Sequence, residues 1–179
     1  MARLTIPTME TAPEGSRRIL ESVQKQAGFA PAVLRVVANS PTALKALIDY
    51  QMTLASTLDE KTRQAIQIAV TAVNSSPYCM IAHSFVAVKV QNSTTEEVER
   101  NKMGDSSDPK SAAAVKFAQK MMSERGLVSD EDLVAVRDAG YSDADIIDII
   151  FVSVQALITN FVNNVANTEA DFPVVSGAV

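Results

Sequence analysis

The chain of 179 residues holds one cysteine and one histidine, four residues apart at Cys79 and His83. On a helix, residues i and i+4 share a face, so the thiol and the imidazole can interact directly or through one water. The preceding Ser76-Pro77 pair reads as a helix start, with an oxygen acceptor at the N-cap and a preset φ at the first helical position. Cys79 then falls in the first turn, where the positive end of the helix dipole favours an anion. A nearby imidazolium acts in the same direction. Thiolate is the form that attacks a peroxide oxygen or a disulfide sulfur. The opposing reading is inert: a lone cysteine is among the most buried residue types, and a lone histidine on an apolar helix is commonly a satisfied core group.

Composition narrows the remaining chemistry. One Cys and one His make neither a disulfide framework nor a zinc cluster, and no cofactor or metal is expected. A net charge of −5 argues against binding a nucleic-acid backbone. Hydrophobic residues at 47% against 21% charged mark a chain that folds. The N-terminus, MARLTIPTMETAPEG, lacks the apolar run of a signal peptide. The most apolar stretch, 146–158, is interrupted by Asp148 and Gln155 and is short for a bilayer span. A soluble, cytoplasmic protein with a reduced thiol and no membrane partner is expected.

The elements that must position the pair are all helical. Ser40-Pro41, Ser76-Pro77 and Asp108-Pro109 each place a capping residue before proline. Thr94 with Glu97, and Ser129 with Asp132, have capping-box spacing. Gly126 and Gly140 suit C-terminal caps with positive φ. These marks predict helices near 14–27, 31–39, 41–56, 60–74, 77–91, 95–102, 109–125, 130–139, 143–157 and 159–169. No sustained period-two alternation predicts a strand, so the class is all-α, a multihelical bundle. The 101–108 segment is the clear flexible connection. An echo at an offset of 81 residues sets Ile66, Ile68, Val70 and Val73 on Ile147, Ile149, Phe151 and Val154, and Cys79 and His83 on Asn160 and Asn164. It reads either as a duplication, with repeats at about 31–92 and 109–171, or as a chance alignment of apolar helices. As a duplication it expects a short break within the second apolar stretch.

The pattern Asn74-x-x-Pro77-Tyr78-Cys79-x-x-x-His83, preceded by the helix from Lys61 to Val70, resembles the carboxymuconolactone decarboxylase / alkylhydroperoxidase D superfamily. Ala139–Asp145, Asn160–Asn163 and Thr168–Pro173 are similar to the longer, peroxidase-related members. The likeness covers most of 40–173 as one domain and is strongest at 60–85. It implies an all-α fold of two similar halves, an obligate homo-oligomer and a peroxidase-type site. In that family a Cys-x-x-Cys pair opens a helix, His follows the second Cys by four residues, and a Glu on the preceding helix completes a proton relay. Cys79 and His83 match the second Cys and the His. The first Cys falls on Ser76, and the relay Glu, twelve residues earlier, on Gln64. Ser76 forms no disulfide, and Gln64 relays no proton at neutral pH.

What this arrangement implies is a one-cysteine, peroxiredoxin-type hydroperoxide reductase with antioxidant activity. Cys79 attacks a hydroperoxide, His83 takes or relays the thiol proton, Ser76 donates a hydrogen bond, and an external thiol reductant or a partner subunit releases the sulfenic acid. Ser76 also reads as a plain N-cap, and Gln64 as a helix-face amide. Tyr78 either lines the substrate pocket or only packs, and Asn160, Asn163 and Asn164, amides on one helix, either line that pocket or cross-link helices. Asp145 or Asp148 could replace the missing carboxylate. The alternatives are acid–base chemistry on a small organic acid or lactone, with Arg63 as an anion anchor, and a non-catalytic oligomer. Met121 and Met122 read as core filler. The 143–157 helix is apolar nearly all round, which implies cover on every side and hence a homo-oligomer.

Overall fold

The computed structural model describes residues 2–175. Among them lie nine α-helices and no strand: α1 (Glu14–Ala27), α2 (Ala32–Val37), α3 (Pro41–Leu54), α4 (Glu60–Val73), α5 (Pro77–Phe85), α6 (Thr95–Lys102), α7 (Pro109–Ser123), α8 (Asp130–Asp138) and α9 (Asp143–Ala166). The caps account for most of these boundaries. Ser40, Asp59, Thr94, Asp108, Ser129 and Ser142 each accept a hydrogen bond from the N3 amide of the helix that follows, which satisfies a donor that would otherwise be orphaned. Ser129 with Asp132 and Ser142 with Asp145 close full capping boxes. Thr94 does not: the Glu97 carboxylate turns away to accept from Ser106 Oγ at 2.6 Å and Ser107 N at 3.0 Å, tying down the 101–108 connection. Gly126 and Gly140 close α7 and α8 at φ 86° and 88°, a region that costs glycine nothing.

Helix α4 is the axis of the bundle. Ala65, Ile66, Ile68, Ala69 and Val70 are all buried, because α5, α6, α7 and α9 pack around it. The main core joins Ile66, Ala69 and Val70 to Val115 and Phe117 of α7, Val136 of α8 and Ile149 and Val152 of α9. Burying an Ile or Val side chain contributes roughly 1.5–3 kcal/mol, so α4 is the least replaceable element. A second cluster forms between α1, α2 and α3 around Leu20, Leu34, Leu44 and Leu47.

Two expectations need correction. The 77–91 helix ends as α-helix at Phe85 and continues as a π-helical turn, Val86–Val90; nothing in the sequence explains the change. The expected break in the second half is absent, for α9 runs 24 residues without interruption. Neither Thr159 nor Asn160 breaks it. Thr159 Oγ1 bonds back to the Ala156 carbonyl at 3.0 Å, and Asn160 Nδ2 donates to Thr71 Oγ1 of α4 at 3.1 Å. Both polar side chains are thus satisfied without opening the helix. At about 36 Å, α9 is long and apolar enough to cross a membrane by length and composition. Its inner face, however, carries Ser153, Asn160 and Asn163 and packs on α4.

A thiol between α5 and α9: the candidate functional site

The turn from α4 into α5 sets the thiol. Ser75 adopts a left-handed φ of 49°, a conformation that costs a non-glycine residue about 1 kcal/mol. It reverses the chain in three residues, so that Pro77 opens α5 and Cys79 takes its N3 position. Ser76 holds the N-cap place, but its side chain makes no cap hydrogen bond, and among the described residues its buried Oγ has no partner. That corrects the reading of Ser76 as a capping acceptor. The first turn of α5, in which Cys79 lies, therefore has no capping side chain to offset the partial positive charge of its amides.

Cys79 is 3% exposed and packs among Ala32, Tyr78, Ala82, Val33, Ile6 and Phe172. Its sulfur nevertheless has a polar partner: Asn163 Nδ2, from α9, donates to Cys79 Sγ at 3.1 Å. Among the described residues no hydrogen bond joins Cys79 to His83, although one helical turn sets their Cβ atoms about 5–6 Å apart. His83 is held from α4 instead. Gln64 Nε2 donates to the His83 carbonyl at 2.8 Å and lies 3.1 Å from Nδ1. An amide N–H can only donate, so Nδ1 is the acceptor and the neutral ring carries its proton on Nε2. Burial lowers the His83 pKa to about 4. The ring is therefore uncharged at neutral pH, and its acceptor nitrogen is taken. The expected imidazolium and the expected proton acceptor are both corrected: His83 offers a donor, Nε2–H. Gln64 has the position predicted for it, buried against His83.

The other predicted residues divide. Tyr78 packs beside the thiol, and its hydroxyl donates to Asp171 Oδ1 at 2.7 Å and accepts from Val33 N at 3.3 Å. Burial and the Asp171 carboxylate push its pKa far up, so it stays a neutral phenol. Asn160 is fully buried and fixes helices, accepting from Asn74 Nδ2 at 3.0 Å as well as donating to Thr71. It is a cross-link and does not line the cavity formed by Pro77, Tyr78, Asn163, Asn164, Asn167 and Thr168. Asn164 donates to the Asn74 carbonyl at 3.0 Å and does line that cavity. Asp145 belongs to the α9 capping box and lies about 27 Å along the helix from Asn163. Asp145 and Asp148 border a separate depression with Lys110 and Tyr141 and replace no carboxylate at the thiol. Arg63 donates to the Thr57 and Leu58 carbonyls of the α3–α4 loop and is not an anion anchor. Met121 is core, as expected.

Two site residues were missed. Asp171 accepts from Tyr78, from Ala32 N at 2.7 Å, and lies 3.9 Å from Arg35. Phe172 packs on Phe29, Tyr78 and Phe85 with ring centroids 5.2–6.1 Å apart. Together they strap the C-terminal segment over α2 and α5. The only sequence signal was the Thr168–Pro173 pattern.

Residues 41–120 match the model of the carboxymuconolactone decarboxylase family. This match, over a little under half of the chain, makes it similar to the carboxymuconolactone decarboxylase / alkylhydroperoxidase D superfamily. No curated protein sequence matches it. Solved structures of this architecture do. An uncharacterised peroxidase-related protein with an alkylhydroperoxidase AhpD core, from Ralstonia eutropha JMP134, is 24% identical with a TM-score of 0.83, over 95% of this chain and 92% of that one. An uncharacterised peroxidase-related protein from Silicibacter sp. TM1040 is 24% identical with a TM-score of 0.81, over 94% and 91%. The debrominase Bmp8, as a cysteine-to-alanine variant in complex with 2,3,4-tribromopyrrole, is 15% identical with a TM-score of 0.78, over 98% and 93%. At these identities the likeness is one of fold, and a shared fold does not fix the chemistry it carries.

Proposed function

We propose that the chain is a thiol-dependent reductase of small hydroperoxides that works through the single cysteine Cys79, in the cytoplasm, without a cofactor. The observation that carries this reading is the polar environment of an otherwise buried sulfur. Cys79 sits in an uncapped first helical turn, and Asn163 aims an N–H at Sγ. Both features place partial positive charge beside the sulfur.

The chemistry balances without a second cysteine in the chain. Sulfur attacks the distal oxygen of ROOH; an S–O bond forms, the O–O bond breaks, and the departing alkoxide takes the thiol proton as ROH. Sulfur is oxidised by two electrons and the peroxide is reduced. His83 serves this step as a neutral donor through Nε2–H, held by Gln64. An external thiol then attacks the sulfenic acid, releasing water and leaving a mixed disulfide. A second external thiol attacks that disulfide and returns Cys79 reduced.

A homo-oligomer completes the proposal. Ile147, Phe151, Val154, Ile158, Phe161 and Val165 are all exposed on α9 and recur at spacings of four and three, the repeat of a helix–helix seam. Residues 149–168 contain no ionisable side chain, so one long apolar face of the chain stands open to water. A second copy of the same face covers it without unpaired charge.

The test is turnover of tert-butyl hydroperoxide with a dithiol reductant in excess. Wild type should consume peroxide and Cys79→Ser should not. Equal rates in the two proteins would remove the proposal.

A further inference from the structure

A cavity of about 210 Å³ is lined by Pro77, Tyr78, Asn163, Asn164, Asn167 and Thr168, with the neighbouring Cys79 behind that lining. Three features set it apart from the larger polar groove of about 590 Å³ between α4, α6 and the start of α7, which contains none of the predicted site residues. First, it shares a residue with the thiol: Asn163, 2% exposed, lines the cavity and donates to Sγ. Second, its wall holds polar atoms with nothing to bind. Among the described residues, Asn163 Oδ1 and Thr168 Oγ1 of that lining are buried without a hydrogen-bond partner. Unsatisfied buried acceptors are unfavourable and are uncommon unless a ligand or water meets them. Third, the lining carries no charge: three amides, a hydroxyl, a proline and a phenol hydrogen-bonded to Asp171.

From these features we infer that the cavity is the substrate port of Cys79, that it takes small uncharged molecules bearing an O–H donor, and that Asn163 is the residue that positions them. This rests on the thiol-reductase reading and deepens it. The amide of Asn163 has two ends. Nδ2–H holds the sulfur, and Oδ1 is left as acceptor for the hydroxyl of an incoming ROO–H. One planar group thus sets attacking atom and substrate at a fixed separation, which is how orientation lowers a barrier. Size limits the R group: against about 30 Å³ per water, the cavity has room for about seven non-hydrogen atoms. Charge limits it too. A carboxylate-bearing hydroperoxide would lose its hydration and find no cation in the wall.

The test uses the full chain and two reagents matched in size, neutral iodoacetamide and anionic iodoacetate. Cys79 should prefer iodoacetamide by about tenfold more than 2-mercaptoethanol does, since burying an unpaired charge is unfavourable. Asn164→Trp, which fills the port from its exposed side, should slow both iodoacetamide and tert-butyl hydroperoxide about tenfold or more. Thr168→Phe fills it from the other wall and serves if Asn164→Trp does not fold. Asn163→Leu should slow oxidation by tert-butyl hydroperoxide more than alkylation, because only the peroxide uses Oδ1. The port is disproved if filling it from either wall leaves alkylation unchanged, or if Cys79 shows no preference for the neutral reagent. The alkylation arm stands whether or not peroxide oxidises Cys79, so a wild type that alkylates through the port but resists peroxide would overturn the reductase reading alone.

Discussion

Gln64 Nε2 stands 3.1 Å from His83 Nδ1 and 2.8 Å from the His83 carbonyl oxygen, so a single amide grips both the ring and the backbone of the same residue. A carboxylate in that place would stabilise an imidazolium; the amide stabilises only the neutral ring. This contact decides what His83 contributes. Replacing Gln64 with Glu should therefore raise the His83 pKa from about 4 by roughly one to three pH units, the usual effect of an adjacent opposite charge. Imidazole NMR titration measures it directly, since the chain has one histidine. A midpoint that stays near 4 would contradict the direct contact between residue 64 and the ring.

The same ring makes stability depend on pH. The folded-state pKa of about 4 lies below the ordinary 6.5, so between those values the unfolded chain binds the proton more readily. The His83 contribution is then constant above pH 6.5, falls as pH drops from 6.5 to 4, and is constant again below 4. At 1.36 kcal/mol per pH unit the loss is at most about 3 kcal/mol. Urea unfolding of wild type against His83→Gln, from pH 7 to pH 4, isolates it from the carboxylates. Parallel curves would contradict the burial of a neutral ring.

Asn160 should behave as scaffold. It bridges Thr71 and Asn74 across α4 and α9 while fully buried. Asn160→Ala should cost about 2–3 kcal/mol in denaturant unfolding by leaving buried partners unpaired, yet leave the alkylation rate of the folded protein unchanged. A slowed thiol with intact stability would return Asn160 to the site.

The α9 seam makes the assembly testable. Wild type should sediment as an oligomer, and the double variant Phe151→Glu/Phe161→Glu as a 19.2 kDa monomer, because two charges on an apolar interface lose hydration without a partner. Both side chains are exposed, so the fold itself should survive. A monomeric wild type would refute the assembly.

Local chemistry made much of this fold readable in advance. Proline after a capping residue marked the starts of α3, α5 and α7 at the residues where they begin, since both signals act within one turn. The Cys79–His83 spacing, and the placing of Gln64 opposite His83, were readable because helix geometry and the family pattern fix them. What was hidden is tertiary. Whether a helix continues through Asn160 depends on partners 86–89 residues away. That Ser76 would not cap its own helix, that Asn163 rather than His83 would touch the sulfur, and that Asp171 would anchor Tyr78 all depend on how α2, α5 and the last residues meet. The charge on His83 was misjudged for the same reason: burial is a property of the packed molecule.

The account stands or falls on the reactivity of one sulfur. Incubating the full-length reduced protein with tert-butyl hydroperoxide and dimedone, then mapping the adduct by mass spectrometry, reads that reactivity without any assumption about the reductant. A dimedone adduct on Cys79, absent without peroxide and slowed in Asn163→Leu, is the predicted result. A Cys79 that stays unmodified while a control thiol in the same tube is oxidised would contradict the account.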